Sequence, residues 1–189
     1  MTLTAYQYLL GVTRRVGAIV ALAMIWLGGS PAAWAAPPAV ACGARITHDV
    51  KLLADVGPCA SDGLIVAASG VSINLNGHRV FGTKRLNIGI RLENVSNVSV
   101  VGGTVEGFDT GVLIVGGQAD TVAYMTLQNN RFGIQVQNAP SSGHQISKNV
   151  VTNNRLVGIL LSPNVSQATV NKNAASGNAG YGIVRPLVV

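Results

Sequence analysis

Apolar and polar residues alternate along this chain in short runs, and each run opens with a glycine. Gly89-Ile90-Arg91-Leu92 returns as Gly111-Val112-Leu113-Ile114, Gly133-Ile134-Gln135-Val136, Gly158-Ile159-Leu160-Leu161 and Gly182-Ile183-Val184-Arg185. Subtracting successive glycine numbers gives 22, 22, 25 and 24. Alternate residues of a strand share a face, so Ile90, Val112, Ile134, Ile159 and Ile183 form one inward column and Leu92, Ile114, Val136 and Leu161 another. Arg91, Leu113, Gln135, Leu160 and Val184 then point outward. A second apolar group is expected at Val98, Val122, Ile146 and Val170, and a third at Val105, Leu127, Val151 and Ala175. Three such groups in one period predict three short strands per turn of a solenoid.

The bends between strands carry their own signal. Gly107, Asn129, Asn154 and Asn178 each stand four residues before a repeat glycine. Glycine and asparagine tolerate the left-handed backbone of a sharp bend, and stacked asparagines can hydrogen-bond along the column. With these repeats the chain resembles the secreted right-handed parallel β-helix proteins, the superfamily of pectate lyases and polygalacturonases. The segment from Val71 to His78 (VSINLNGH) is similar to the first full coil of such proteins, as is the Cys-bounded stretch ending at Pro58 to Gly63. The resemblance covers about residues 42 to 185 and implies an all-β fold: a short, single-stranded right-handed parallel β-helix. Its expected size is about five coils of 22–25 residues, with few insertions beyond Thr83 to Ile88 and Ala139 to Gly143. It implies fold more than activity, because one fold hosts many chemistries.

The first 35 residues read as a secretory signal. Arg14 and Arg15 precede an apolar run from Val16 to Leu27, and Ala33-Trp34-Ala35 supplies a small-x-small cleavage site. The run is shorter than the ~20 residues of a membrane span, so no membrane anchor is expected after cleavage. The expected organisation is a signal at 1–35, an N-terminal cap at 36–62 and the β-helix at 63–189, in a protein secreted or held in the periplasm or cell envelope. Cys42 and Cys59 form an even pair in an exported chain, which points to a disulfide closing the cap. The loop length corresponds to roughly 3 kcal/mol on the chain-entropy account. At the other end Arg185 falls in a core column with Pro186 after it, a combination that discourages further strand pairing. Leu187, Val188 and Val189 have no place in the repeat and are candidates for a small cap or a contact with another chain.

Charge adds little by itself. The 13 Lys and Arg exceed the 7 Asp and Glu, and removing Arg14 and Arg15 leaves 11 against 7, a net charge of +4. That surplus favours anionic partners, but the cations are scattered and form no block of the nucleic-acid-binding kind.

The candidate chemistry is thin. Glu106, Asp109 and Arg131 are the best cluster, since the repeat places Asn87, Asp109 and Arg131 in one column on successive coils. Glycoside hydrolysis needs two carboxylates about 5 to 9.5 Å apart, and a calcium site needs several oxygen ligands. The polygalacturonase motifs Asn-Thr-Asp, Asp-Asp and Gly-His-Gly are absent. A ladder salt bridge is therefore the expected role of Asp109 and Arg131. His48, His78 and His144 show no metal-ligand spacing, and His78 is expected to be structural. No cofactor is expected; calcium enters only if the chain is a lyase. Phe108 and Phe132 are expected to plug coil corners, which leaves Tyr124 and Tyr181 as the only aromatics available to stack on sugars.

The expected function is an exported, non-catalytic β-helix that binds a cell-envelope or extracellular glycan or protein, with an acidic glycan or an envelope protein as the candidate partners. The alternative is a polysaccharide lyase or glycoside hydrolase acting on acidic polysaccharide. Leu113, Leu160 and Val184 make the outward row apolar, so an oligomer formed through that face or the C-terminal end is a further expectation.

Overall fold

The computed structural model describes residues 39–83 and 86–185. The signal expected at 1–35 and the tail from Leu187 to Val189 lie outside the described residues. Within them the protein is an all-β parallel solenoid of about six turns. One sheet stacks Ala44–Ile46, Leu64–Val66, Ile88–Glu93, Thr110–Gln118, Phe132–Ser142, Val157–Leu161 and Tyr181–Val184 in that order. A second runs through Val50–Lys51, Ser72–Asn74, Ser99–Glu106, Thr121–Gln128, Gln145–Ser147 and Thr169–Asn171. Val56–Cys59, Arg79–Gly82, Val150–Thr152 and Ala174–Ser176 continue the second sheet past a bend. In the two central coils the strands before and after that bend fuse into single eight-residue strands, Ser99–Glu106 and Thr121–Gln128.

The glycine column has a steric cause. A Cβ on Gly89 would lie 2.5 Å from the carbonyl oxygen of Gly111, one on Gly111 2.6 Å from that of Gly133, and one on Gly133 2.5 Å from that of Gly158. Each repeat glycine therefore admits the backbone of the adjoining coil. Gly63 belongs to the same column, its Cβ position being 2.3 Å from the Gly89 oxygen. The stack starts one coil earlier still, since Ala44 pairs with Leu64 and Leu64 with Ile90. The segment expected to be a separate cap thus contains the first coil, closed by the Cys42–Cys59 disulfide. This is why the turns number about six rather than five.

The inward columns of the first sheet pair in the expected register, Ile90 with Val112, Ile134, Ile159 and Ile183, and all but Ile183 are completely buried. The Val105, Leu127, Val151 and Ala175 column also pairs in register. Two columns need correction. Val122 pairs with Val100, not Val98, because that coil is two residues shorter than the 24-residue coils after it. The expected bend column Gly107, Asn129, Asn154 and Asn178 mixes two adjacent ones. Gly107, Asn129, Asn153 and Gly177 take the left-handed conformation, whereas Asn130, Asn154 and Asn178 turn inward.

Those inward asparagines form a ladder. Asn154 Oδ1 accepts the Asn130 N–H, Asn178 Oδ1 accepts the Asn154 N–H, and the Asn154 amide donates to Leu127 O at 3.0 Å. Phe108 begins the column, buried, with its N–H donated to Asn130 Oδ1. At another corner Asn149 and Asn173 repeat the arrangement. Each amide satisfies backbone groups that a bend would otherwise leave unpaired. Leu113, in the outward apolar row, is only 5 % exposed, so the row offers less apolar surface than its sequence suggests.

Candidate functional site

Asp109 and Arg131 stand where the repeat puts them. The Asp109 N–H donates to Asn87 O and the Arg131 N–H to Asp109 O, on successive coils. Arg131 Nη1 lies 3.5 Å from Asp109 Oδ1, and the guanidinium sits 5.1 Å above the centre of the Phe132 ring. Half of the Arg131 side chain is exposed, and a pair in that setting contributes little to stability.

Glu106 belongs to a different ladder. Its Oε1 is 3.1 Å from Arg79 Nη1 and its Oε2 accepts from Gln128 Nε2 at 2.8 Å. Arg79 in turn holds Asp55, through its N–H at 2.9 Å and its Nε at 3.0 Å, and stacks over Phe81. His78 completes this ladder, its Nδ1 lying 3.5 Å from Asp55 Oδ1. The Arg79 N–H, followed by its guanidinium, holds the Asp55 carboxyl below the ordinary carboxylate range, and the two acids raise Arg79 in return. A third ladder joins Asp62 to Arg91 at 2.8 Å, beside a shallow groove of about 340 Å³ between Arg45, Ile65, Arg91 and Asn94.

His144, which has no recognisable partner in the sequence, has two in the fold. Its Nε2 is 2.8 Å from Ser141 Oγ, and its Nδ1 accepts the Asp120 N–H at 3.2 Å and lies 3.4 Å from Asp120 Oδ2. The 24-residue offset between Asp120 and His144, one coil, was the available signal. The three side chains have the composition of a nucleophilic triad, but all are buried to 1 % exposure or less. Accepting at Nδ1 places the histidine proton on Nε2, which leaves no lone pair to take the serine proton. The cluster is a corner ladder in which Asp and His occupy the asparagine positions.

Charge separates along the stack. Residues 36–120 hold all 7 acids and six bases (Arg45, Lys51, Arg79, Lys84, Arg85, Arg91), whereas 121–189 hold five bases (Arg131, Lys148, Arg155, Lys172, Arg185) and no acid. Of those five, Arg131 alone is in a salt bridge among the described residues.

A protein-family model, described as periplasmic copper-binding protein (NosD), matches residues 69–185. The chain belongs to the NosD family. No curated protein and no solved structure matches it. NosD proteins are described as periplasmic, which agrees with the expected export of this one to the periplasm or beyond.

The copper in the NosD description finds no fitting donor set among the described residues of this chain. Cys42 and Cys59 are consumed in the disulfide. His48 contacts Thr47 on the surface, His78 faces Asp55, and His144 is enclosed with Asp120 and Ser141. Among the described residues no three His, Cys, Asp or Glu side chains converge. Copper prefers imidazole and sulfur ligands gathered in one place.

Proposed function

We propose that this NosD-family protein is an exported, non-catalytic β-helix that binds an anionic glycan or a protein of the cell envelope. The observation that carries this reading is the state of the carboxylates. Asp49, Asp55, Asp62, Glu106 and Asp109 each engage a donor on a neighbouring coil, and Glu106 and Asp109 go to different arginines. Acids committed in this way serve as rungs between coils. A lyase or hydrolase site requires them to converge on one substrate bond. The cations of the later coils, of which only Arg131 is in a salt bridge among the described residues, favour an anionic partner.

The test is an activity screen of the exported chain on pectin, polygalacturonate, alginate and heparinoids, with and without calcium, run beside retention on an array of the same glycans. Retention without turnover is expected. Turnover that disappears in Asp109→Ala would overturn the reading and return the site to Asp109 and Arg131.

A further inference from the structure

Three corners of the coil pass through the left-handed backbone region on successive turns. One corner uses Gly107, Asn129, Asn153 and Gly177, and another uses Gly70, Asn97, Ala119, Gly143 and Gln167. The third departs from this economy. Above Gly102 it places Tyr124 (φ 56°), Lys148 (φ 57°) and Lys172 (φ 53°) on successive coils, in register with the pairs Ala123–Ser147 and Ser147–Asn171. Bulky side chains avoid that region, and strain of this kind collects where a side chain is needed for function.

The three side chains make a continuous ridge. Tyr124 is 60 % exposed, and both lysines are exposed. The Lys148 ammonium lies 4.7 Å from the centre of the Tyr124 ring and hydrogen-bonds its hydroxyl. The neighbour on the other side of Tyr124 is Gly102, which has no side chain to cover the ring. Gln145, Ser147, Thr169 and Asn171 border the ridge with groups that suit sugar hydroxyls. Neither lysine has a carboxylate partner among the described residues, and no Asp or Glu follows Asp120 in the chain.

We propose that this ridge binds a linear polyanionic glycan carrying one carboxylate per sugar, an assignment that rests on the binding function proposed above. Lys148 and Lys172 repeat at the coil spacing of about 4.8 Å, close to the advance of one sugar along an extended chain. The two ammoniums pair with carboxylates of one stretch of the glycan, and a sugar ring lies on the open face of Tyr124.

The experiment measures binding of polygalacturonate, hyaluronan (one carboxylate per disaccharide) and neutral dextran by calorimetry at low and physiological salt. The variants are Lys148→Gln with Lys172→Gln, and Tyr124→Asn. Gln167 and Asn129 already adopt the same backbone conformation at the other corners, so both are compatible with the fold. Lys51→Gln with Arg155→Gln removes the same charge elsewhere. The expected result is binding in the order polygalacturonate, hyaluronan, dextran, weakened about tenfold by the double lysine variant and severalfold by Tyr124→Asn, with the charge-matched control within about twofold of the parent. Equal losses in the ridge variant and the control, or none in either, overturn the ridge and leave the binding function standing. Failure of the parent chain to bind any glycan overturns the ridge and the glycan arm of that function together. Tighter binding to anionic lipid vesicles or to single-stranded DNA than to polygalacturonate overturns the glycan assignment.

Discussion

Asp120 and His144 stand on adjacent coils, wholly buried, with Asp120 Oδ2 3.4 Å from His144 Nδ1 and no hydrogen-bond donor to that oxygen. Asp120 Oδ1 accepts the Val98 N–H, as an asparagine Oδ1 does at the other corners. There the second side-chain atom is an amide that donates to a carbonyl of the preceding coil, Val122 O for Asn149 and Leu127 O for Asn154. Asp120 puts an acceptor where those ladders put a donor.

Asp120→Asn is therefore expected to stabilise the fold by about 1–3 kcal/mol, the cost of an unsatisfied buried polar group. Denaturant unfolding at neutral pH checks this, and a lower midpoint in the variant would refute the description of the corner.

The glycine column predicts a steep positional contrast. Gly133→Ala brings a Cβ to 2.5 Å from Gly158 O and 2.4 Å from Val151 Cγ1, and is expected to cost about 3 kcal/mol or more. Gly182→Ala, at the end of the column with its nearest neighbour 3.2 Å away, is expected to cost under about 1 kcal/mol. Thermal unfolding of both variants gives the comparison.

Removing the middle rung of the asparagine ladder is expected to be costly. Asn154→Ala strands the Asn130 N–H and Leu127 O inside the protein, a loss of about 2–4 kcal/mol, roughly one or two unsatisfied groups. Asn154→Asp, which keeps the acceptor and removes the donor, separates the two contributions. Hydrogen exchange at the Asn130 amide reports the same bond without relying on global unfolding.

The Asp55 ladder sets an acid-side dependence. Its folded pKa lies below its unfolded value, so the stabilisation is fully present above the ordinary carboxylate pKa of about 4 and disappears as pH falls through the lower folded value. Asp55→Asn is expected to flatten the stability curve below about pH 4 and to leave its shape near neutrality unchanged. A curve that keeps its acid limb in the variant assigns that limb to other carboxylates.

What was legible in the sequence follows from periodicity. The Gly-Ile phrase survives because every coil meets the next at the same place, where a Cβ would strike a carbonyl. Asp109 and Arg131 could be aligned because their 22-residue offset equals the local repeat. Glu106 could not be assigned to Arg79, 27 residues earlier, because the pair is diagonal: Arg79 stands in register with Thr104 and Glu106 with Phe81, so their offset matches no column of the repeat.

The sequence by itself determined the solenoid and the inward columns of its first sheet, since these depend on residue type recurring at a nearly constant interval, and the pairing of its cysteines, since there are only two. The tertiary structure decided everything that turns on one or two residues of register. It placed Val100 rather than Val98 opposite Val122, and Asn130 rather than Asn129 in the ladder. It also enclosed Asp120 with His144 and aligned Tyr124 with Lys148 and Lys172. Coil length varies from turn to turn, and a repeat does not say at which bend a residue is gained or lost; only backbone pairing between coils settles that.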